Sequence, residues 1–299
     1  MDYSEARAAF FGGRDGDVRS LDWTTPARRL RDAIEPLATI CFWSEPAYDE
    51  YAALGLDFLQ GYVYSRASVL GDVEPRVASA AFGVFEPGLV ADLFASARST
   101  ASVDDVRAAK ERGAVTALRE CLGEPEELAE VVAVLRRACE AADPTGRALH
   151  AGLTGLAWPE DLLGQLWHAC TILREHRGDG HLATLVASGV DGVQANQLTE
   201  LWVGWDALSY TGSRAWSPEA MDAGTGTLAE RGWVADGRLT DAGRAFREDL
   251  EATTDLTVAA AVAAIGDDLD RVVARLDAWA QQVVDRGWFP PDPYKRAAG

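Results

Sequence analysis

Apolar residues recur at every third or fourth position over most of the chain, and proline and glycine punctuate the stretches between. From Ala27 to Trp43, Leu30, Ile34, Leu37, Ile40 and Cys41 fall at helical spacing. Pro26 suits the first turn of that helix, with Thr24 or Thr25 as its cap. Glu45-Pro46 ends it. Shorter helices are predicted over about 47–54, Phe58–Ser68, Glu74–Val84 and Pro87 to about Ala97. Two amphipathic helices follow over 103–122 and 125–141. Their apolar faces are Val106, Val115, Leu118 and Leu122, then Leu128, Val131, Val132, Leu135 and Cys139. The segment 142–146 reads as a turn. Pro159 opens a long helix leading to His176. Gly178 and Gly180 are expected to break it, with a short helix, Leu182–Ala187, stopping at Gly189. Further helices are predicted over about Val193–Gly204, Pro218–Arg231, Asp241–Thr253 and Leu269–Arg286. Asp236-Gly237 reads as a two-residue hairpin turn between very short strands. Residues 1–25 read as a loosely held extension, and 289–293 as an extended tail.

The pattern also repeats. Ala53-Leu54-Gly55-Leu56-Asp57-Phe58-Leu59-Gln60 returns 134 positions later as Ala187-Ser188-Gly189-Val190-Asp191-Gly192-Val193-Gln194. At the same offset Leu30–Trp43 stands opposite Gly164–Arg177, which points to an internal duplication. Helix, turn, helix and two-strand wing, followed by Leu239-Thr240-Asp241-Ala242-Gly243-Arg244, is the order of a winged helix. Leu228–Val234 with Gly237–Arg244 resembles the end of a MarR-type regulator domain. Over roughly 27–285 the chain resembles a family of tandem MarR-like winged-helix ("helix-turn-helix") proteins of high-GC bacteria. Members tend to carry Arg-Glu-His-Arg-Gly-Asp-Gly-His, here Arg174–His181, and Gly-Tyr-x-x-x-Arg, here Gly61–Arg66. The resemblance implies a mainly α fold of two pseudo-symmetric winged-helix halves in one chain, with small β wings. The expected division is an extension (1–25), a first half (26–100) and a helical connection (101–157). A second half (158–265, wing 233–240) and a C-terminal helix and tail (266–299) complete it. Two such halves would mimic a MarR-type homodimer, which holds small molecules between its dimer helices and its DNA-binding lobes.

Composition narrows the partners. A hydrophobic content of 48% and ten tryptophans allow a large core. No apolar run approaches the roughly 20 residues that span a bilayer, and Met1–Arg14 lacks the apolar segment of a secretory signal. Cys41, Cys121, Cys139 and Cys170 have no pair spacing, as expected of free thiols in a cytoplasmic protein. The net charge is -19, so DNA binding needs a local basic patch. Residues 218–231 would be the recognition helix. They carry Glu219, Asp222 and Glu230 against a terminal Arg231. Gly224 and Gly226 each cost that helix about 1 kcal/mol. The wing offers Arg238 beside Asp236, and 74–85 offers Arg76 alone. Charge therefore disfavours DNA, unless a homodimer presents Arg28, Arg29 and Arg31.

The densest chemistry lies in Leu166–His181, which holds three of the four histidines. Asp161, His168 and Glu175 recur at seven-residue spacing on nearly one stripe. The glycines would let Asp179 and His181 fold back toward His176. Three readings stay open. In one this is a polar helix end, with Arg174, His176 and Arg177 on the dipole and Asp179 capping the next helix. In the second His176, Asp179 and His181 do acid–base or polar binding work. In the third His168, His176 and His181 hold a metal or haem. The spacing matches no strong metal signature, so no cofactor is favoured. Tyr62 and Arg66 share a helical face, and a buried arginine needs an anion. Asp57, Glu45 or a ligand carboxylate would serve. Trp167, His168, Arg174 and Glu175 complete the expected ligand-binding set. No phosphate loop and no Gly-x-Ser-x-Gly elbow occurs. The leading expectation is a small-molecule-binding protein, monomer or homodimer, on a winged-helix scaffold that has lost DNA binding. One form of it is an enzyme of secondary metabolism. The alternative is a ligand-responsive transcriptional regulator.

Overall fold

Capping side chains and prolines start most of the helices near where the periodicity begins. The computed structural model describes residues 2–11 and 24–297. α1 (Tyr3–Phe10) is set by an Asp2–Glu5 capping box. It is tied to the body: Tyr3 stacks on Tyr48, and Phe10 and Phe11 lie against Trp43. The expected loose extension is therefore a packed helix over 3–10, while residues 12–23 lie outside the described residues. α2 (Pro26–Trp43) is capped by Thr25 and ends before Pro46. α3 (Glu45–Ala53), α4 (Phe58–Ala67), α5 (Pro75–Phe82) and α6 (Pro87–Thr100) complete the first group. α7 (Val103–Leu122) and α8 (Leu128–Glu140) fall where predicted. The short α9 (Ala148–Thr154) was not foreseen.

α10 (Leu162–Ala187) corrects the expectation of a break. It runs unbroken through Gly178-Asp179-Gly180. At the 134-position offset Gly178 and Gly180 stand opposite Ser44 and Pro46, and the helix is interrupted only at Ser44-Glu45-Pro46. Proline has no N–H and clashes with the preceding turn. Glycine keeps its N–H, and a buried helix absorbs its propensity cost. Gly180 is also required by packing, because a Cβ there would run into the Thr257 hydroxyl of the neighbouring helix.

α11 (Gly192–Val203), α12 (Ser209–Gly212) and α13 (Pro218–Glu230) lead to β1 (Val234–Ala235) and β2 (Arg238–Leu239). The strands pair antiparallel, Val234 with Leu239 and Ala235 with Arg238. Asp236 and Gly237 take φ of 50° and 70°, as a two-residue hairpin requires. This is the one sheet among the described residues. α6 and α7 are separated only by Ala101-Ser102, so the first group has no room for the second wing that the resemblance implied. α14 (Asp241–Thr257), α15 (Ala259–Ile265) and α16 (Leu269–Asp285) follow, then a 3-10 turn at Pro293–Ala297.

The main core gathers α2, α7, α8, α10 and α16 around Leu37, Ile40, Leu118, Leu135, Leu166 and Leu276. Smaller cores sit under α3–α6 and under the wing. The segments 53–60 and 187–194 fold alike. Leu56 N donates to Tyr51 O and Val190 N to Leu185 O, around Gly55 and Gly189 at φ of 80° and 64°. Asp57 then caps α4, and Asp191 caps α11. No helix among the described residues is long and apolar enough to cross a membrane.

Candidate functional site

The charged run in the middle of α10 is buried, and each of its ions is answered by a different helix. Glu175 accepts from Arg66 of α4 at two points, 3.0 and 2.8 Å, and from Arg174 at 2.7 Å. Arg174 also donates to Glu35 of α2 at 2.9 Å. Arg177 donates to Glu251 of α14 at 2.6 Å; Arg31 and Arg247 share the same carboxylate. Arg28 joins Asp255 and Glu248. Burial raises the Glu175 pKa, but Arg66 and Arg174 more than offset this and hold it at about 2. Glu251 is held well below the usual carboxylate range in the same way, burial being overcome by Arg177, Arg247 and Arg31. The expected partners of Arg66, Asp57 and Glu45, are not the ones it takes. Arg28 and Arg31 are buried in pairs and Arg29 is paired with Asp270.

Two cavities flank this run, and Arg174, Arg177 and Gly178 form the partition between them. The first, with about 470 Å3 of empty space counting its open side, is mostly apolar and reaches His176. The second has about 780 Å3 of empty space, counting its open mouth. Tyr62, Arg66, Phe82 and Phe85 form one side of it, and His181, Asn196, Thr199, Tyr210, Arg214 and Arg247 the other. Its wall is stitched at Val84, whose carbonyl accepts from Asn196 at 2.7 Å and from Trp216 at 3.0 Å. Glu86 N donates to Arg214 O at 3.0 Å. The Glu200 carboxylate accepts from the backbone N–H groups of Leu208, Tyr210 and Thr211, which fixes the turn carrying Tyr210 and Arg214.

Of the residues singled out from sequence, Tyr62, Arg66, Arg174 and His181 line the larger cavity. His181 Nδ1 lies 2.8 Å from the Thr254 hydroxyl, which itself donates to Leu250 O. His181 is therefore the donor at Nδ1, and Nε2 carries the lone pair. Burial, only partly opposed by Glu251, pushes its pKa down to about 3. His176 lines the smaller cavity and neither ring nitrogen makes a well-formed hydrogen bond. Its edge meets His150, with ring centroids 4.7 Å apart. Burial and Arg147 push it down to about 4.

The other candidates lie away from both cavities. His168 packs edge-on against Trp158 and is pushed down to about 4 by burial and Lys110. Trp167 is core and donates to Ala38 O. Asp161 caps α10 and pairs with Arg119. Asp179 neither folds back nor caps a following helix. It accepts from His150 N at the start of α9, and burial pushes its pKa up to about 6. His168, His176 and His181 thus do not converge as a metal set. Among the described residues no three His, Cys, Asp or Glu side chains are placed to hold a metal.

Sequence reasoning missed Phe82, Phe85, Asn196, Tyr210, Arg214 and Arg247. Nothing local marks them; they meet only because α4, α5, α10, α11, α12 and α14 do. The exposed face of α13 shows Glu219, Asp222 and Glu230, with Arg231 bonded back to Gly189 O.

A family model described as a helix-turn-helix family matches residues 27–290. Comparison with curated proteins and with solved structures gives no match.

Proposed function

This chain belongs to the helix-turn-helix family, and on that premise we propose that it binds a small molecule in the larger cavity. The observation that carries the reading is the convergence of five arginines, Arg66, Arg174, Arg177, Arg214 and Arg247, on one open-mouthed cavity with Tyr62, Phe82 and Phe85 along one side. Aromatic and aliphatic side chains on one side and fixed polar groups on the other are what orient a small molecule in a pocket. In this reading the chain is a duplicated one, with the cavity between its halves. Support comes from the repeated turn and cap geometry at Tyr51–Gln60 and Leu185–Gln194. The helix-turn-helix elements are α11 to α13 with the wing. The acids on α13 speak against a DNA-reading role, because a groove-bound helix gains its affinity by neutralising phosphates.

Thermal denaturation against a panel of small organic anions and neutral metabolites tests the cavity. At least one compound should raise the midpoint of the wild type. T199W fills the space beside Thr199 and should lose that response while still melting cooperatively. Equal responses from both proteins would place binding elsewhere and end this reading.

A regulator remains the second reading, favoured by the order helix, turn, helix, wing. Fluorescence anisotropy with a mixed-sequence duplex at low salt separates the two. The proposal expects binding weaker than the roughly 10⁻⁶ M of ordinary non-specific complexes. A tighter, steeply salt-dependent complex would make the protein a regulator.

A further inference from the structure

Resting on the cavity reading above, we infer that residues 292–297 are a detachable strap whose release opens a second entrance to the larger cavity. The chain reaches the strap from a fixed point. α16 ends at Asp285, Gly287 turns the backbone at φ of 76°, and Trp288 and Phe289 are buried in the main core. Pro290 and Pro291 follow, and neither has an N–H to donate. Beyond them the chain crosses to α11 and α12. One Asp292 oxygen accepts from Trp205 Nε1 at 2.7 Å, and the other accepts from Tyr294 N at 2.9 Å. Tyr294 and Ala297 sink into a small cluster with Trp202, Val203, Trp205 and Tyr210. Arg296 reaches back the other way, donating to Asp32 O at 3.2 Å and to Asp277 at 3.4 Å.

Two features separate a strap from a fixed wall. The first is room to move. Ala297 lines the larger cavity. Pro290, Pro291, Asp292, Tyr294 and Arg296 line a different space, an open cleft against Asp277 and Gln281 of α16. That cleft has about 1120 Å3 of empty space, counting its open side. The segment thus stands between two spaces and can swing outward into the cleft. The second feature is a slight hold. Among the described residues of the segment only Tyr294 and Ala297 are buried, whereas the Trp288-Phe289 anchor is part of the core. Segments with few buried contacts open locally, well before the molecule unfolds. The strap also touches the cavity's own groups. Lys295 Nζ lies 5.2 Å from the centre of the Tyr210 ring, and the Arg214 guanidinium carbon lies 4.1 Å from the same centre. Release of the strap therefore removes a wall and takes a cation from the ring that supports Arg214.

Thiol labelling of the full chain with fluorescein-5-maleimide, read at each cysteine by peptide mass spectrometry, tests this. C121S/T199C puts one thiol on the lining of the larger cavity, while the buried Cys41, Cys139 and Cys170 report global opening. D292A removes the bond to Trp205. It should speed labelling at position 199 about 10- to 100-fold, the change expected for losing a hydrogen bond to a charged group. Y294A should act in the same direction, and the three core thiols should keep their rates in both. Labelling at position 199 that neither variant speeds would overturn the inference. So would core thiols that speed up in step with position 199, because the variants would then be loosening the whole fold. T199W decides the cavity reading separately. If it abolishes the ligand response but D292A and Y294A leave labelling unchanged, the cavity stands and the strap falls. If they speed labelling at position 199 alone but T199W keeps the ligand response, the strap stands and the ligand binds elsewhere.

Discussion

Glu175 sits between Arg66 and Arg174, so its charge is what makes two buried guanidiniums tolerable. Arg174 has a second carboxylate in Glu35, but among the described residues Arg66 has none. E175Q should therefore lose about 3–5 kcal/mol of stability in urea unfolding, because breaking a buried pair strands a charge. Adding R66M to E175Q should recover part of the loss, which a double-mutant cycle reads directly. The histidines set the acid response. An unfolded histidine titrates near 6.5, whereas His168 and His176 are held at about 4 and His181 at about 3 by burial. Their folded values are depressed, so the unfolded chain takes up protons first. The stability they confer is whole above about pH 6.5 and is lost as pH falls through 4 to 3. Asp179, pushed by burial up to about 6 from an unfolded value near 3.9, acts in the opposite sense. Its contribution is whole below about pH 4 and is lost as pH rises through 6. Burial also lowers His150 and raises Glu111, Glu200 and Asp277; with the large histidine shifts dominating, unfolding free energy should drop by about 3–5 kcal/mol between pH 7 and 4.5. H176Q should show a visibly shallower drop. At this scale the sequence marked Arg174–Arg177 as unusual but could not name Glu35, Arg66 or Glu251 as the answering charges. Those partners are far apart in the chain, and only the packing of α2, α4 and α14 on α10 brings them in.

Gly178 and Gly180 stand two positions apart on one helix and do different things. A Cβ at Gly178 would meet nothing closer than a Glu175 oxygen at 3.7 Å, an ordinary contact. G178A should therefore gain up to about 1 kcal/mol from helix propensity. The same change at Gly180 meets Thr257 and should destabilise instead, with partial recovery in G180A/T257G. Thermal melts of the three variants decide it. Periodicity alone cannot tell a glycine that ends a helix from one that admits a neighbour, which is why a break was expected in α10. The break at Pro46, in contrast, was readable, since proline interrupts the ladder whatever packs on it. The wing and the Pro218 helix start were also readable, because Asp236-Gly237 and Ser217-Pro218 act through local geometry. α9 was not. Its seven residues start on Arg147 with no side-chain cap, and part of its N-terminal turn is satisfied by Asp179 from another helix.

Across the whole molecule, Tyr62 and Arg66 on one side and His181 on the other were expected to share a pocket, and they line one cavity. His168, His176 and Asp179 were expected there too, but His176 faces the space behind the Arg174–Gly178 partition and the other two line neither cavity. The helical phase of α10 decides this: the helix continues through Gly178 and Gly180, so His176 and His181, five residues apart, face different sides of it. The far wall is closed by the C-terminal turn. Ala297 lines the cavity, Asp292 accepts from Trp205 at 2.7 Å, and Arg296 donates to Asp32 O.

That closure has a consequence in time. A space bounded by both Tyr62 and Ala297 is complete only after some of the longest loops in the chain have closed, and such contacts form late in folding. A ligand held there has no purchase on the transition state. It should lengthen the life of the folded protein, slowing unfolding in a stopped-flow experiment, while leaving the refolding rate unchanged. The persistence of the protein, rather than the speed with which it forms, would then record how much ligand is present.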